Sequence, residues 1–294
     1  MGVYPAFSST YTKNNIFKPQ DLEELFDFDI KMYRAHKDYQ FPRSSTPGCE
    51  FRPVVYDKGA KYLGEWKSGV KEGIGIFVFP DDSIYEGEFS DDKFSGKGRL
   101  LHKNGDVYTG EWDKNASNGE GTYNYKDGST YTGEWKSNQQ HGKGVETWPD
   151  GSKYEGEFAF GVKSGFGTFT WSDGSVYRGS FQHGGFHGEG TYGWSDGREY
   201  IGEWHSDPPG SVPLRQNKMH GRGVYKWPNG DRYEGEYRFD LKHGHGRFLW
   251  ENGKEFEGEW RDGLKEGTGV YRDGKGGERK GEWVEDKRVR WLDE

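Results

Sequence analysis

The chain has 294 residues, a formal net charge of −8, 17% aromatic residues and 48 glycines, but only 30% hydrophobic residues. That acidity argues against bulk attraction to nucleic acid and against an indiscriminate hold on anionic lipid. So polar a composition normally belongs to disordered chains, which lack aromatics, so the rings are what this chain must bury, in a thin and extended core. Cys49 is the only cysteine, which excludes an intramolecular disulfide. No apolar run has the length of a signal peptide or a membrane span, and the expectation is a soluble, intracellular, cytoplasmic protein. Gly2 stands where myristoylation would need it, but Ala6 replaces the Ser or Thr of that signal.

In chain order, residues 1–50 read as an N-terminal extension, irregular over Met1–Gln20 and Lys37–Cys49. Between them, residues 21–36 carry apolar side chains at Leu22, Leu25, Phe26, Ile30 and Tyr33 behind Pro19, a helical stripe. Through Leu22 and Phe26 this helix would cap the first strand beyond residue 50 or dock on a partner.

From residue 51 to 291 an aromatic–x–Gly–acid–aromatic unit recurs ten times, opening at Tyr62, Tyr85, Tyr108, Tyr131, Tyr154, Tyr177, Tyr200, Tyr233, Phe256 and, degenerately, Arg279. The interval is 23 residues except for one of 33, so the fold is an array of small units before it is anything else. Tyr131, Gly133 and Trp135 alternate and therefore share one face of a strand, with Glu134 on the other. A Gly-x-Gly follows (Gly142, Gly144), then a second alternating segment ending in an aromatic such as Trp148, then Asp150-Gly151, a dipeptide suited to the positive φ of a tight hairpin turn. Each repeat is thus two short antiparallel strands. The fold class is all-β, a single antiparallel meander of β-hairpins that extends roughly 90–100 Å and twists or curls into a rod or trough. Fixed glycines leave room for a neighbouring ring to lie on the backbone. Gly188 to Gly193 spells a dinucleotide fingerprint, but it is in phase with the repeat and has no strand-then-helix context.

Tyr-x-Gly-Glu-Trp, then Gly-x-Gly, then Asp-Gly at this spacing resembles the MORN repeat (membrane occupation and recognition nexus) over about Phe51 to Trp291. The resemblance implies the same elongated hairpin meander and a non-enzymatic scaffold or adaptor for cytoskeletal and membrane-associated assemblies. In character the array is similar to stand-alone scaffolds of ciliary radial spokes or protist cytoskeletons, which implies protein partners in a multi-subunit assembly at a cilium, axoneme or other cytoskeletal structure. The family name also implies a second reading, a membrane tether for anionic phospholipid headgroups.

The 33-residue interval contains ten extra residues near 207–216, where Pro208, Pro209 and Leu214 form a stiff projecting loop, either a partner site or a tolerated insertion. Trp148, Trp171, Trp194, Trp227 and Trp250 hold one place in successive repeats and form a ladder at about 10 Å per step, either core or a partner-binding groove. Paired acids such as Glu86 with Glu88, Glu155 with Glu157, Glu234 with Glu236 and Glu257 with Glu259 read as a solvated polar face rather than acid–base machinery. His141, His187, His220 and His243 recur too far apart to share a metal ion. Residues 287–294 read as a C-terminal cap, and its Lys287, Arg288, Arg290 and Trp291 are the best local match to an anionic lipid surface. No catalytic, cofactor or metal motif is present, so no enzyme is expected, and the array ends and sheet edges are candidates for self-association.

Overall fold

The computed structural model describes residues 46–212 and 214–292. The helical stripe at 21–36, with Leu22 and Phe26, lies outside the described residues. Among the described residues, every regular element is a strand, and no helix is long and apolar enough to cross a membrane. The chain divides into two compact units, one running to Gln139 and the other starting at Gln140.

The first unit contains β1 (Glu50–Val55), β2 (Lys61–Lys67), β3 (Val70–Val78), β4 (Ile84–Ser90), β5 (Lys93–Leu101), β6 (Val107–Asp113), β7 (Ala116–Asn124) and β8 (Thr130–Lys136). Each pairs antiparallel with the next in sequence. The second begins with β9 (Gln139–Thr147), β10 (Lys153–Ala159), β11 (Val162–Thr170), β12 (Val176–Gln182), β13 (Gly185–Gly193) and β14 (Glu199–His205). It continues through β15 (Lys218–Lys226), β16 (Arg232–Arg238), β17 (Leu241–Leu249), β18 (Glu255–Arg261), β19 (Leu264–Arg272), β20 (Glu278–Val284) and β21 (Lys287–Trp291), again a meander of sequential antiparallel pairs. Thus a seven-residue strand carrying Tyr-x-Gly-Glu-Trp alternates with a nine-residue strand carrying Gly-x-Gly.

The difference in length is a bulge, and the repeat consensus builds it. In β10 and β11, Gly156 faces Gly167 while Glu157 faces Ser164, so β11 holds two extra residues, Gly165 and Phe166. Gly165 has φ 61°, the left-handed region that a side chain disfavours. The bulge takes the Glu157 carbonyl out of the ladder, and Tyr154 Oη donates to it at 3.0 Å. The Glu157 carboxylate turns back and accepts the Phe166 N–H at 3.3 Å. The other tyrosines at the head of a unit make the same bond to the carbonyl three residues on, from Tyr62 to Glu65 at 3.0 Å through Tyr233 to Glu236 at 3.1 Å. The acid likewise accepts the middle N–H of Gly-x-Gly from Ile74, Lys97 and Arg222 at 2.9, 3.0 and 2.9 Å. Glu155 and Glu234 are exposed, but the second acid of a pair, as in Glu88, Glu157 and Glu236, is a ligand of a backbone bulge, which corrects its reading as merely solvated. Glu86 departs from it further, being fully buried and 2.6 Å from Arg99.

The tyrosine ring lies flat over the two facing glycines. A Cβ on Gly156 would sit 2.5 Å from Tyr154 Oη and 2.6 Å from the Gly167 Cα, so neither glycine tolerates a side chain. Along the second unit these buried rings meet edge to face: Tyr154 with Phe181 at 5.0 Å, Tyr177 with Trp204 at 5.6 Å, Tyr200 with Tyr237 at 5.2 Å and Tyr233 with Trp260 at 5.2 Å. Each such pair contributes about 0.5–1.5 kcal/mol beyond the area it buries. The core is thus a single file of rings on one face of the sheet.

Two turn types alternate. The tight two-residue turns join a seven-residue strand to the nine-residue strand that follows it, as at Lys114-Asn115 with φ of 50° and 71°, where both residues are left-handed. The Asp-Gly dipeptides occupy the wider turns instead. There Gly151 N donates to Trp148 O, Pro149 and Asp150 form the bend, and only the glycine has positive φ. Asp82, which replaces that glycine in one repeat, still adopts φ 72°. The tight turns escape a search for glycine because Gly69, Gly161, Gly184 and Gly263 hold the second position in only some of them, and Asn or Asp serves in the others.

Candidate functional site

Outside the buried file, the same face of each unit carries a second row of rings. In the second unit Trp148, Trp171, Trp194, Trp227 and Trp250 are all half-buried. They do not touch one another; a ring from the preceding strand position fills each interval. Trp148 stacks on Phe169 at 5.3 Å, Phe169 meets Trp171 at 4.5 Å, and Trp171 meets Tyr192 at 5.1 Å. Tyr192, Trp194, Tyr225, Trp227, Phe248 and Trp250 extend this at 4.4–5.4 Å per step. The ladder is therefore a continuous band, with one side on the core and the other facing out. The tryptophans were visible at a spacing of 23, once 33; their partners were hidden because Phe, Tyr and Glu146 share one repeat position.

The same row is interrupted in the first unit. Phe79, His102 and Tyr125 stand where the second unit has Trp, and Leu100 replaces a connecting ring. The second residue of each nine-residue strand also varies. Phe94 stacks face to face on Tyr85 at 3.7 Å, and Lys71 lies 5.7 Å from the ring of Tyr62, but the equivalent residue beside Tyr108 is Ser117. Its short side chain leaves a groove of about 690 Å³ open toward solvent. Phe94, Leu100, Tyr108, Trp112, Tyr123 and Trp135 give it apolar and aromatic walls, and Lys71, Asp92, Asn115 and Asn138 give it polar edges. Asp92 accepts both the backbone N–H and the ammonium of Lys71 at 2.9 Å; burial opposes its ionisation, but these bonds prevail and hold the carboxyl below its usual range. This groove was missed in the sequence because its signal is a loss of size, at Ser117 and Leu100, within a pattern of conspicuous rings.

The ten-residue insertion is fastened at its base. Asp207 N donates to Arg215 O at 2.8 Å, Arg215 N to the Asp207 carboxylate at 2.7 Å, and the Arg215 guanidinium lies 4.2 Å from the centre of the Phe239 ring. Pro208, Pro209 and Leu214 are exposed on it, beside Val212 at 96% exposure. His205, overlooked because it lies outside the recurring histidine position, falls between His187 and His220 at ring separations of 6.2 and 5.5 Å. Its Nε2 bonds the Asp207 carboxylate at 2.9 Å, which draws that carboxyl below its ordinary range. Burial and the neighbouring His205 depress the affinity of His220 for a proton. No group of three or more metal-ligating side chains is assembled among the described residues.

At the far end Lys287, Arg288 and Arg290 are exposed on β21, but two of the three cations are engaged. Arg290 pairs with Glu282 at 2.7 Å, and Arg288 and Arg279 lie 4.2 and 4.3 Å from the Trp291 ring. Trp291 itself packs toward Trp283 at 6.0 Å. The aromatic of this basic end is thereby turned onto the sheet.

Hairpins stacked in sequence around a file of rings, with the remaining aromatics presented along one face, define a repeat protein of the interaction-scaffold class. The MORN repeat model matches residues 62–84, 85–107, 108–130, 131–153, 154–176, 177–197, 214–232, 233–255 and 256–278. The chain belongs to the MORN-repeat family. A comparison with curated proteins finds no match. Among solved structures, the chain is similar to the TCP10 domain of Danio rerio CPAP, with 15% identity over 74% of this chain and 98% of that one and a TM-score of 0.39. It is also similar to the SAS-4 (dCPAP) TCP domain of Drosophila melanogaster in complex with a proline-rich motif of Ana2, with 15% identity over 68% and 97% of the two chains and a TM-score of 0.32.

Proposed function

We propose that the protein is a non-enzymatic scaffold whose aromatic face receives segments of partner proteins in a larger assembly. The observation that carries this reading is the groove beside Ser117, an aromatic-walled trough with polar edges on an otherwise ring-filled face. Flat aromatic walls suit extended, proline-containing or apolar segments, because such chains lose little entropy on docking and bury their side chains between rings. The second unit, taken by itself, offers its own aromatic band and the exposed tip of the 207–216 loop. Family membership supports protein partners, and by analogy an intracellular role at a cilium or the cytoskeleton.

The test is affinity purification of the full chain from its native cell, comparing wild type with Ser117→Phe. That substitution places in the groove the ring that Phe94 already supplies one repeat earlier. Loss of the co-purifying partners with an unchanged melting temperature is expected; recovery of the same partners would refute the groove. Sedimentation with anionic vesicles tests the lipid tether: the engaged cations of β21 and the inward Trp291 lead us to expect no salt-sensitive binding that depends on Arg288 and Arg290.

A further inference from the structure

The second position of the nine-residue strands is occupied by lysine four times among the described residues: Lys71, Lys163, Lys242 and Lys265. Each ammonium lies over the aromatic face within 6 Å of several ring centres, a favourable but poorly hydrated place for a cation. Three of the four have an internal carboxylate. Asp92 bonds Lys71 at 2.9 Å and Asp286 pairs with Lys265 at 3.6 Å, both from the second residue of the next tight turn. Lys163 has glycine at that turn position, and Glu146 of the preceding nine-residue strand serves it instead at 2.6 Å.

Lys242 has neither source. The turn position is Gly263, and the place held by Glu146 in the earlier repeat is held by Tyr225. Its ammonium sits 4.6 Å from the centre of Phe248, 4.8 Å from Trp260, 5.2 Å from Tyr233 and 5.4 Å from Trp227. Two of these rings belong to the buried file and two to the outer band. We infer that Lys242 is an anchor for a glutamate or aspartate side chain of a bound partner segment, which supplies the counter-charge that the other three repeats supply internally. Desolvation, and then the nearby Lys265 charge, lower its proton affinity to about 8, with Asp286 opposing them. A carboxylate arriving at the ammonium, over the contact between Trp227 and Phe248, would reverse that depression and rest on aromatic surface. The site thus fits an acidic residue flanked by apolar or proline residues. This inference rests on the reading of the aromatic face as a partner-docking surface, yet it fails separately, because the groove beside Ser117 lies in the other unit.

The test uses the full chain with lysine side chains labelled with 13C and the Lys242 signal assigned from Lys242→Arg. Titration with pH is followed alone, with an acetylated, amidated peptide of Pro-Glu-Leu repeats, and with the matching Pro-Gln-Leu peptide. The expected result is a midpoint near 8 in the free chain and a saturable upward shift with the glutamate peptide only. Capped peptide ends assign the response to side-chain carboxylates. In Gly263→Asp, which restores the sibling turn residue, the midpoint should rise without peptide and the peptide response should vanish. No saturable response of Lys242, an equal response of Lys163 and Lys265, or a response that survives Gly263→Asp would each overturn the assignment.

Discussion

The aromatic face of the second unit is continuous and that of the first is broken, although one repeat consensus builds both. The difference arises at few positions: Trp148, Trp171, Trp194, Trp227 and Trp250 against Phe79, His102 and Tyr125, connecting rings against Leu100, and Lys, Phe, Met or Gln against Ser117. None of these touches the hydrogen bonds of the bulge, which recur in both units. Backbone architecture and face chemistry are therefore specified by separate residues. A scaffold of this kind can change what it presents without changing how it folds.

That separation is open to attack at the shared element first. Gly110→Ala in the first unit would bring a Cβ to 2.5 Å from both Tyr108 Oη and the Gly121 Cα, and Gly156→Ala in the second would meet the equivalent atoms of Tyr154 and Gly167. Backbone atoms cannot step aside, so each substitution should cost about 3 kcal/mol or more. Calorimetry should show each lesion destabilising mainly its own unit; a single transition shifted equally by both would join the units into one cooperative block.

Ser117→Phe comes next and divides the two roles in the opposite sense. It should lower partner affinity roughly 100-fold, about 2.7 kcal/mol, while leaving thermal stability unchanged or slightly raised. Isothermal titration with an identified partner segment reads the first effect and thermal denaturation the second.

The tyrosine hydroxyl is a smaller lever. Tyr154→Phe removes the donor to the Glu157 carbonyl and should cost about 1.5 kcal/mol, because a buried acceptor loses its partner. Phe256 already lacks that donor, so Phe256→Tyr should stabilise by about 1 kcal/mol. Urea titration of both variants measures the pair, and equal small effects of one sign would discount the bond.

Of these features, the hairpin meander and the buried file were legible in the sequence, because Tyr, Gly and Trp at alternate positions can satisfy only one face of a strand. The bulge was not: the acid of Tyr-x-Gly-Glu-Trp looks solvent-facing until the two extra residues of the partner strand bring the N–H groups of Phe166 and its equivalents to its carboxylate. The band was half legible, since its tryptophans are periodic while Phe169, Tyr192, Tyr225 and Phe248 hide among residues of mixed type. The groove and Lys242 depend on what is small or missing at Ser117 and Gly263, and a missing group leaves no pattern of its own.

The smallest effect distinguishes the units by pH. Near the end of the second unit, Arg247 and then Arg272 bond the Glu255 carboxylate, and Arg272 also bonds Glu257 and Glu278. Hydrogen bonds from Arg247 and Arg272 hold Glu255 and Glu257 below the ordinary carboxylate range. Folded values below unfolded ones mean that this contribution is complete above the unfolded value of about 4.3 and is lost as pH falls through the folded values. Melting of the second unit should therefore become less sensitive to acid in Arg272→Met. A wild-type pH slope in that variant would remove the cluster from the account.

The most direct test of the central claim is partner recovery by the full chain carrying Ser117→Phe, measured beside its melting temperature. A chain that melts like wild type but no longer retains its partners places recognition on the aromatic face. Undiminished recovery by an equally stable variant would contradict that placement.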